Sequence, residues 1–164
     1  MIRKMALAWM LLAALVVVGC SSGGSGDTNG TGGIISPTWI TAQQEGDSVS
    51  IPVSELLSGK MLHFSITYQG DNKTFMAYKL GGETYVRANV CPPCRSTSFS
   101  LDGDTLICDS CGTRFEASTG AGISGACVNY PKAEVAYETS GSSLAMEMDD
   151  LVTAYANTLS PGWP

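Results

Sequence analysis

Five cysteines in one segment of the chain carry the residue types best suited to chemistry. They form two Cys-x-x-Cys pairs, followed after a glycine-rich stretch by one more thiol. A gap of two residues lets the backbone curl so that both sulfurs of a pair point at one centre. The spacing therefore predicts a site with four thiolate ligands, for a metal ion or an iron–sulfur cluster, with two structural disulfides as the alternative. The predicted ligands are Cys91, Cys94, Cys108 and Cys111.

The thirteen residues between the two pairs have the pattern of a β-hairpin. Apolar and polar residues alternate through 98–101 and 105–107, and the turn signal Asp102-Gly103 lies between them. A further predicted strand, 84–90, runs straight into Cys91. We therefore expect both cysteine pairs on loops that rigid strand ends hold in place.

The rest of the folded region predicts a mainly β protein. We expect a small β-sheet or barrel-like domain with the two cysteine loops at one end and a short C-terminal helix. Pro52 restricts the first strand to a sheet edge, Ser54 caps a short helical turn, and Asp149 or Asp150 caps the final helix. The predicted elements are strands at 47–53, 61–68, 74–80 and 84–90, a hairpin at 133–139 and 143–148, and a helix at 149–158.

The N-terminus has the composition of a targeting segment. Arg3 and Lys4 precede an apolar run at 6–18, which is short for a spanning helix of about twenty residues. The following Gly19-Cys20 and Ser/Gly-rich stretch resemble a bacterial lipoprotein signal, with an uncleaved signal anchor as the alternative. The resemblance implies a signal peptide at 1–19, lipidation of Cys20 and attachment to the extracytoplasmic face of the cell membrane. Residues 20–33 then form a flexible linker and 34–164 the metal-binding domain.

Charge and residue composition argue against several classes of function. Without Arg3 and Lys4 the formal net charge of −6 becomes −8, which does not favour nucleic acid or anionic lipid headgroups. The sequence has one histidine, and we find no Ser/His/Asp arrangement, no phosphate-binding glycine loop and no His-Glu-x-x-His motif. These features favour an electron carrier or a binding module over an enzyme.

Two further residues have competing interpretations. Cys127 follows the glycine-rich stretch 119–125 and is either an additional ligand or redox thiol at the site, or a free thiol away from it. His63 shares the polar face of its strand with Met61 and Ser65, which is typical of a solvated side chain. The functional alternative is that His63 donates a hydrogen bond beside the site or binds the metal.

The second cysteine loop resembles that of Rieske proteins. Cys108-Asp-Ser-Cys111-Gly112 runs through Phe115 into Thr119-Gly120, as a Cys-x-x-His-Gly-x-x-Phe segment runs into a Thr-Gly turn in that family. Cysteines stand at positions 94 and 111, where Rieske proteins have histidine. Thiolates in place of neutral imidazoles add negative charge and lower the reduction potential of a cluster.

A wider resemblance, from 49 to 137, is to the FtrD-like family of membrane-associated iron–sulfur proteins, often linked to bacterial iron uptake. It rests on His63, the two Cys-x-x-Cys pairs and Gly125-Ala-Cys127. It implies that the four paired cysteines bind an iron–sulfur centre, with His63 and Cys127 at matching positions. After Cys127, the segment 128–131 departs from the tighter Asn-Pro pair usual in the family.

Two functional hypotheses follow. The first is an electron-transfer lipoprotein with a 2Fe–2S type cluster and a membrane redox or iron-permease partner. The second is a binding or scaffold lipoprotein in which Zn²⁺ holds a small β domain together without a redox role. Disulfides formed in an oxidising exterior are a third, lesser interpretation.

Overall fold

The computed structural model describes residues 33–163, and it is mainly β, as predicted. In chain order its elements are β1 (Pro37–Trp39), β2 (Gln43–Glu45), β3 (Ser48–Pro52), α1 (Val53–Leu57), β4 (Met61–Tyr68), β5 (Asp71–Leu80), β6 (Glu83–Ala88), β7 (Phe99–Asp102), β8 (Thr105–Cys108), β9 (Arg114–Glu116), β10 (Gly122–Ser124), β11 (Glu138–Ser140), β12 (Ser143–Glu147) and α2 (Met148–Leu159).

The strands form three sheets of four strands each. The central sheet has the order β1-β4-β5-β6, in which β1 runs parallel to β4 and the other neighbours are antiparallel. The cysteine sheet has the order β10-β9-β8-β7 and is antiparallel throughout. The third sheet, β11-β12-β3-β2, is also antiparallel.

The central sheet lies between two hydrophobic cores. Side chains of a strand alternate between its two faces, so β4 sends Leu62 and Phe64 to one core and Met61 to the other. The first, the helix-side core, also contains α1, α2 and the third sheet. The second, the cysteine-side core, comprises Met61, Met76, Tyr78, Cys91, Phe99, Leu101, Leu106, Cys108, Phe115, Ala117 and Cys127. The cysteines are therefore part of a core.

Glycines with positive φ form the turns that position the strands. Gly81 and Gly82 join β5 to β6 with φ of 60° and 93°, which a residue with a Cβ adopts only with strain. Gly103, with φ of 60°, lies in the two-residue connection between β7 and β8. The hairpin that separates the cysteine pairs is thus confirmed.

Four local predictions were wrong. The predicted strand 133–139 forms a strand only at its end, where β11 begins at Glu138. Strand β3 lies inside its sheet, because Pro52 pairs only with Ser143 of β12 and extends past the end of β2. Helix α1 begins at Val53, so its N-cap is Pro52 rather than Ser54. The N-cap of α2 is Glu147, and Asp149 and Asp150 lie in the first turn, where their charge suits the helix dipole.

The strands that the sequence did not predict are the short ones, β1, β2, β9 and β10, each of three residues. The predicted signal peptide, Cys20 and nearly all of the linker lie outside the described residues. Within 33–163, no helix is both long and apolar enough to cross a bilayer.

Candidate metal centre

The five cysteines of the described chain converge on one site, and all are free thiols. The sulfurs of Cys94 and Cys108 lie 3.7 Å apart, and so do those of Cys111 and Cys127. These distances exceed the disulfide bond length of about 2.05 Å, so neither pair is bridged. The sulfurs that all lie within 4.8 Å of one another belong to Cys91, Cys94, Cys111 and Cys127.

The first cysteine loop, residues 91–96, folds back on itself. The Cys91 N–H donates to Ser96 O at 2.8 Å, and the Arg95 N–H donates to Cys91 O at 2.7 Å. Arg95 closes the loop with φ of 59°, an uncommon conformation for a residue with a Cβ. The loop thereby presents Cys94 at its partly exposed tip and keeps Cys91 buried.

The second cysteine loop, residues 108–113, repeats that geometry. The Cys108 N–H donates to Thr113 O and the Gly112 N–H donates to Cys108 O, both at 2.9 Å. Gly112 takes the positive φ, 69°, at the position equivalent to Arg95. Cys108 is buried and Cys111 is partly exposed, so the two loops present equivalent pairs of thiols.

The fifth thiol is attached to the second loop. The Thr113 hydroxyl accepts a hydrogen bond from the Cys127 N–H at 3.2 Å and lies 3.2 Å from the sulfur of Cys111. The segment carrying Cys127 approaches closely because Gly125 has no side chain. A Cβ on Gly125 would lie 2.7 Å from Thr113 Cα. Cys127 itself is buried.

The thiols differ in how readily they ionise. Burial raises the pKa of Cys91 and of Cys108, and the neighbouring thiols Cys127 and Cys94 raise that of Cys91 further. Burial also opposes ionisation of Cys111, but hydrogen bonds from the side chain and backbone of Thr113 and from neighbouring thiols outweigh it. They lower the pKa of Cys111 to about 6. The thiolate most readily present at neutral pH is therefore the partly exposed one in the second loop.

A buried lysine lies beside the thiols. Lys132 is fully buried, and its ammonium group lies 4.3 Å from the ring centre of Phe115 and 5.2 Å from that of Phe99. Burial lowers its pKa to about 8, while the charges of Cys91, Cys108, Cys127 and Cys94 act in the opposite direction. Lys132 was not predicted as part of the site, because its surroundings in the sequence, between Pro131 and Ala133, hold no signal of a charged site.

Three arginines lie close to the cysteines in sequence, but they do not place a positive charge beside the thiols as Lys132 does. Arg87 is buried, but it pairs with Glu134 at 3.1 Å and donates hydrogen bonds to backbone oxygens of Ala117, Ser118 and Lys132. Its role is to hold together the segments that follow the cysteine loops. Arg95 and Arg114 are exposed.

His63 is fully buried, whereas its alternating pattern favoured a solvated side chain. Neither ring nitrogen has a hydrogen-bond partner within the described residues, and the ring packs edge-on against Trp39 at 5.2 Å. Burial lowers its pKa to about 4, partly opposed by the charge of Asp109 in the second loop. His63 is not among the residues whose ligand atoms lie within 4.8 Å of one another.

The donor set fits an iron–sulfur cluster. Most such clusters are held by four cysteine thiolates, and five free thiols lie together here. The sulfurs of Cys94 and Cys108, 3.7 Å apart, have the spacing of two thiolates on one metal atom, since tetrahedral bonds of about 2.3 Å give sulfur–sulfur edges of about 3.8 Å. Phe99 and Phe115, both buried in the cysteine-side core, exclude water from one side.

Comparison with known protein families decides the class of protein. The profile of the family described as "Membrane iron-sulfur containing protein FtrD-like" matches residues 56–157. The chain belongs to the FtrD-like family. This confirms the resemblance stated from the sequence, and it agrees with the group of cysteines within mutual reach. No curated protein matches the FtrD-like chain.

One solved structure resembles the FtrD-like chain in fold, and two others match more weakly. A chain of the "Complex of reduced oxygenase and oxidized ferredoxin in carbazole 1,9a-dioxygenase" matches with a TM-score of 0.51 and 19% identity, over 63% of this chain and 95% of that one. The ferredoxin of carbazole 1,9a-dioxygenase from Nocardioides aromaticivorans IC177 matches with a TM-score of 0.47 and 18% identity, over 66% and 98%. The Sphingomonas yanoikuyae B1 ferredoxin has a TM-score of 0.42 and 22% identity, over 51% and 83%.

Proposed function

We propose that this FtrD-like protein is an electron carrier that holds a 2Fe–2S type cluster and is anchored to the extracytoplasmic face of the cell membrane. The observation that carries the proposal is the convergence of five free thiols on one site, two pairs of them at 3.7 Å. Membership of a family of membrane iron–sulfur proteins supports it. When bound, a cluster of this kind accepts and returns single electrons.

The surroundings of the thiols suit electron exchange from one side. Cys94 and Cys111 are partly exposed, whereas Cys91 and Cys108 are buried against Phe99 and Phe115. An electron partner therefore docks over the loop tips, where Cys94 and Cys111 give it the shortest path. The buried aromatic side keeps water away, which is one of the factors that set the potential.

The ligands in this proposal are the four paired cysteines, Cys91, Cys94, Cys108 and Cys111. Cys127 is a fifth thiol within reach, close enough to Cys111 to replace a ligand. His63 lies too deep in the central sheet for a solvated role, and we assign it to the surroundings of the site. The test is the iron content of single Cys→Ser variants. Loss of iron is expected for the four ligands, and retention for Cys127→Ser.

The anchor in this proposal is a lipid on Cys20. The lipoprotein-like pattern of residues 1–20 and the family description support it. The partner of the protein in this proposal is a membrane redox protein or an iron permease. Labelling of cells with a fatty acid tests the anchor: the wild type is expected in the labelled membrane fraction. Cys20→Ser is expected to lose both label and membrane attachment, and a fully labelled Cys20→Ser variant would contradict the proposal.

A structural Zn²⁺ site is the second candidate. The observation that favours it is the compactness of Cys91, Cys94, Cys111 and Cys127, whose sulfurs lie within 4.8 Å of one another. One tetrahedral ion has sulfur–sulfur edges of about 3.8 Å, so this group is close to the size that a single ion requires. In this case the protein would be a binding or scaffold lipoprotein without a redox role.

Metal and sulfide analysis separates the two candidates. The full-length protein is purified without oxygen, and iron, zinc and acid-labile sulfide are measured together with the visible spectrum. Equal amounts of iron and sulfide in a coloured protein are expected. A colourless protein with one zinc ion and no sulfide would contradict the redox proposal and support the structural one.

A further inference from the structure

Lys132 lies beside the cysteine site, and the role inferred for it rests on the proposed function of that site. Lys132 is one of the most deeply buried side chains in the described chain. Its backbone is fixed on both sides: the Lys132 N–H donates to Gly120 O, and Lys132 O accepts from Arg87 Nη1, both at 2.8 Å. The backbone therefore holds the side chain in one direction, into the cysteine-side core.

The ammonium group of Lys132 contacts the segments that carry the cysteines. It donates to Val90 O, directly before Cys91, and to Tyr130 O, both at 2.8 Å. The Tyr130 N–H in turn donates to Cys127 O at 3.1 Å. The group lies 5.2 Å from the ring centre of Phe99, the residue paired with Cys108 across the β7–β8 hairpin.

This ammonium group has no carboxylate partner in residues 33–163. The ion pairs found there are Lys60–Glu55 and Arg87–Glu134, and neither includes Lys132. An ammonium has three N–H donors, and carbonyls take two of them. Burial of a charge without an opposite charge is strongly unfavourable. The negative groups able to balance it are the thiolates of the cysteine site.

We propose that Lys132 is the counter-ion of the iron–sulfur site and raises its reduction potential. A cluster with four thiolates is anionic, and reduction adds a further negative charge. A fixed positive charge close by stabilises the reduced form more than the oxidised form, and a buried position leaves this effect poorly screened by salt. Lys132 is thus a positioning and charge-balancing residue, not a ligand.

The test compares redox potentials of full-length variants purified without oxygen. Lys132→Met keeps the length and the packing against Phe99 and Phe115 but removes the charge. We expect its potential to fall so that the reduced fraction at a fixed potential drops about tenfold or more, which is about 59 mV for a one-electron couple. Iron and sulfide content should remain near that of the wild type.

Two further variants control the experiment. Lys73→Met removes a lysine that also lies over an aromatic ring, Tyr155 at 5.2 Å, on the helix side of the central sheet. Its potential should match that of the wild type. Lys132→Gln removes the charge but keeps an N–H donor for Val90 O, and it replaces Lys132→Met if that variant does not fold. Both Lys132 variants should shift the potential in the same direction.

The outcomes distinguish this inference from the proposed function. A wild type that undergoes reversible reduction, with unchanged potential in both Lys132 variants, would overturn the counter-ion role and leave the electron carrier intact. A wild type without redox-active iron would instead overturn the carrier. Titration of the reduced, metal-free protein with Co²⁺ then decides the charge role: at least tenfold weaker binding by Lys132→Met supports it, and equal binding overturns it.

Discussion

The two cysteine loops have the same backbone and different surroundings. In both, the first cysteine accepts a hydrogen bond from the fourth residue after it and donates one to the fifth. The first loop takes its positive φ at Arg95 and the second at Gly112. The backbone N–H of Cys127 donates to the second loop, at the Thr113 hydroxyl. The repeated loop therefore provides four thiols, and the side chain of Thr113 in the second loop holds the fifth in place.

The largest expected effect comes from breaking the link between the second loop and Cys127. In Gly125→Ala the new Cβ would lie 2.7 Å from Thr113 Cα, at a φ of 113° that L side chains rarely adopt. We expect a loss of about 3 kcal/mol in the free energy of unfolding, from overpacking and backbone strain together. Urea unfolding measures it.

Gly103→Ala is the matched control, because Gly103 also has a positive φ of 60° but an added Cβ meets nothing within 4 Å. It should cost only about 1 kcal/mol. Equal losses in the two variants would contradict the close packing of the Cys127 segment on the second loop.

The next effect is a pH dependence of the free energy of unfolding that His63 causes. The charge of Asp109 in the second loop acts on the pKa of His63. Its pKa is lowered from 6.5 to about 4, so the folded protein binds this proton less readily than the unfolded chain. The associated stability is fully present above pH 6.5 and is lost as the pH falls towards 4. By pH 4 the loss reaches about 3 kcal/mol, since each pKa unit corresponds to about 1.4 kcal/mol.

Unfolding of the metal-free, reduced protein at several pH values between 7.5 and 4 tests this dependence. His63 is the one histidine of the chain, so His63→Leu should remove this part of the pH dependence. A variant that still loses the same stability over that range would show that other groups are responsible.

A smaller effect is expected when the hydroxyl group of the second loop is removed. Thr113→Val removes the acceptor of the Cys127 N–H and the group beside Cys111, and should cost about 1 to 2 kcal/mol. It should also raise the pKa of Cys111 from about 6, because Thr113 hydrogen bonds lower it. Alkylation of Cys111 at pH 7 in the metal-free protein, followed by mass spectrometry, should therefore be slower.

Ser96→Ala is the control for Thr113→Val, since Ser96 is the equivalent residue of the first loop and its hydroxyl contacts Ser98 and the Cys108 thiol rather than Cys111. It should leave the reactivity of Cys111 unchanged. A similar slowing in both variants would contradict the asymmetry between the loops.

The smallest effect concerns the positive-φ residues. Arg95→Gly should relieve the strain in the first loop, and Gly112→Ala should introduce it in the second, each by at most about 1 kcal/mol and in opposite directions. Thermal unfolding measures both. Destabilisation by Arg95→Gly would show that the side chain of Arg95, although exposed, makes a favourable contribution.

The sequence predicted the parts of the site that local patterns determine. Cysteine spacing, the Asp102-Gly103 turn and the alternation of β4 depend on residues close in the chain, and they indicated the paired thiols and the strands. The face of β4 on which His63 lies was also predicted correctly. That face is buried, however, because the cysteine-side core covers it, and a strand pattern cannot show what packs on its polar side.

The remaining features depend on contacts between distant segments. Lys132 reaches Val90, 42 residues earlier, and Arg87 reaches Lys132 across 45 residues. The three-residue strands β9 and β10 are too short for a periodic signal and exist because they pair beside β8. Cys127 was recognised as a candidate, but its attachment to Thr113 depends on the close approach at Gly125.

An anaerobic redox titration of the full-length protein, followed by visible absorption and electron paramagnetic resonance, tests the central claim most directly. The account predicts a coloured protein whose absorption bleaches reversibly on uptake of one electron per cluster, with a paramagnetic signal in the reduced form. A colourless protein with zinc at its cysteines and no signal at any potential would contradict it.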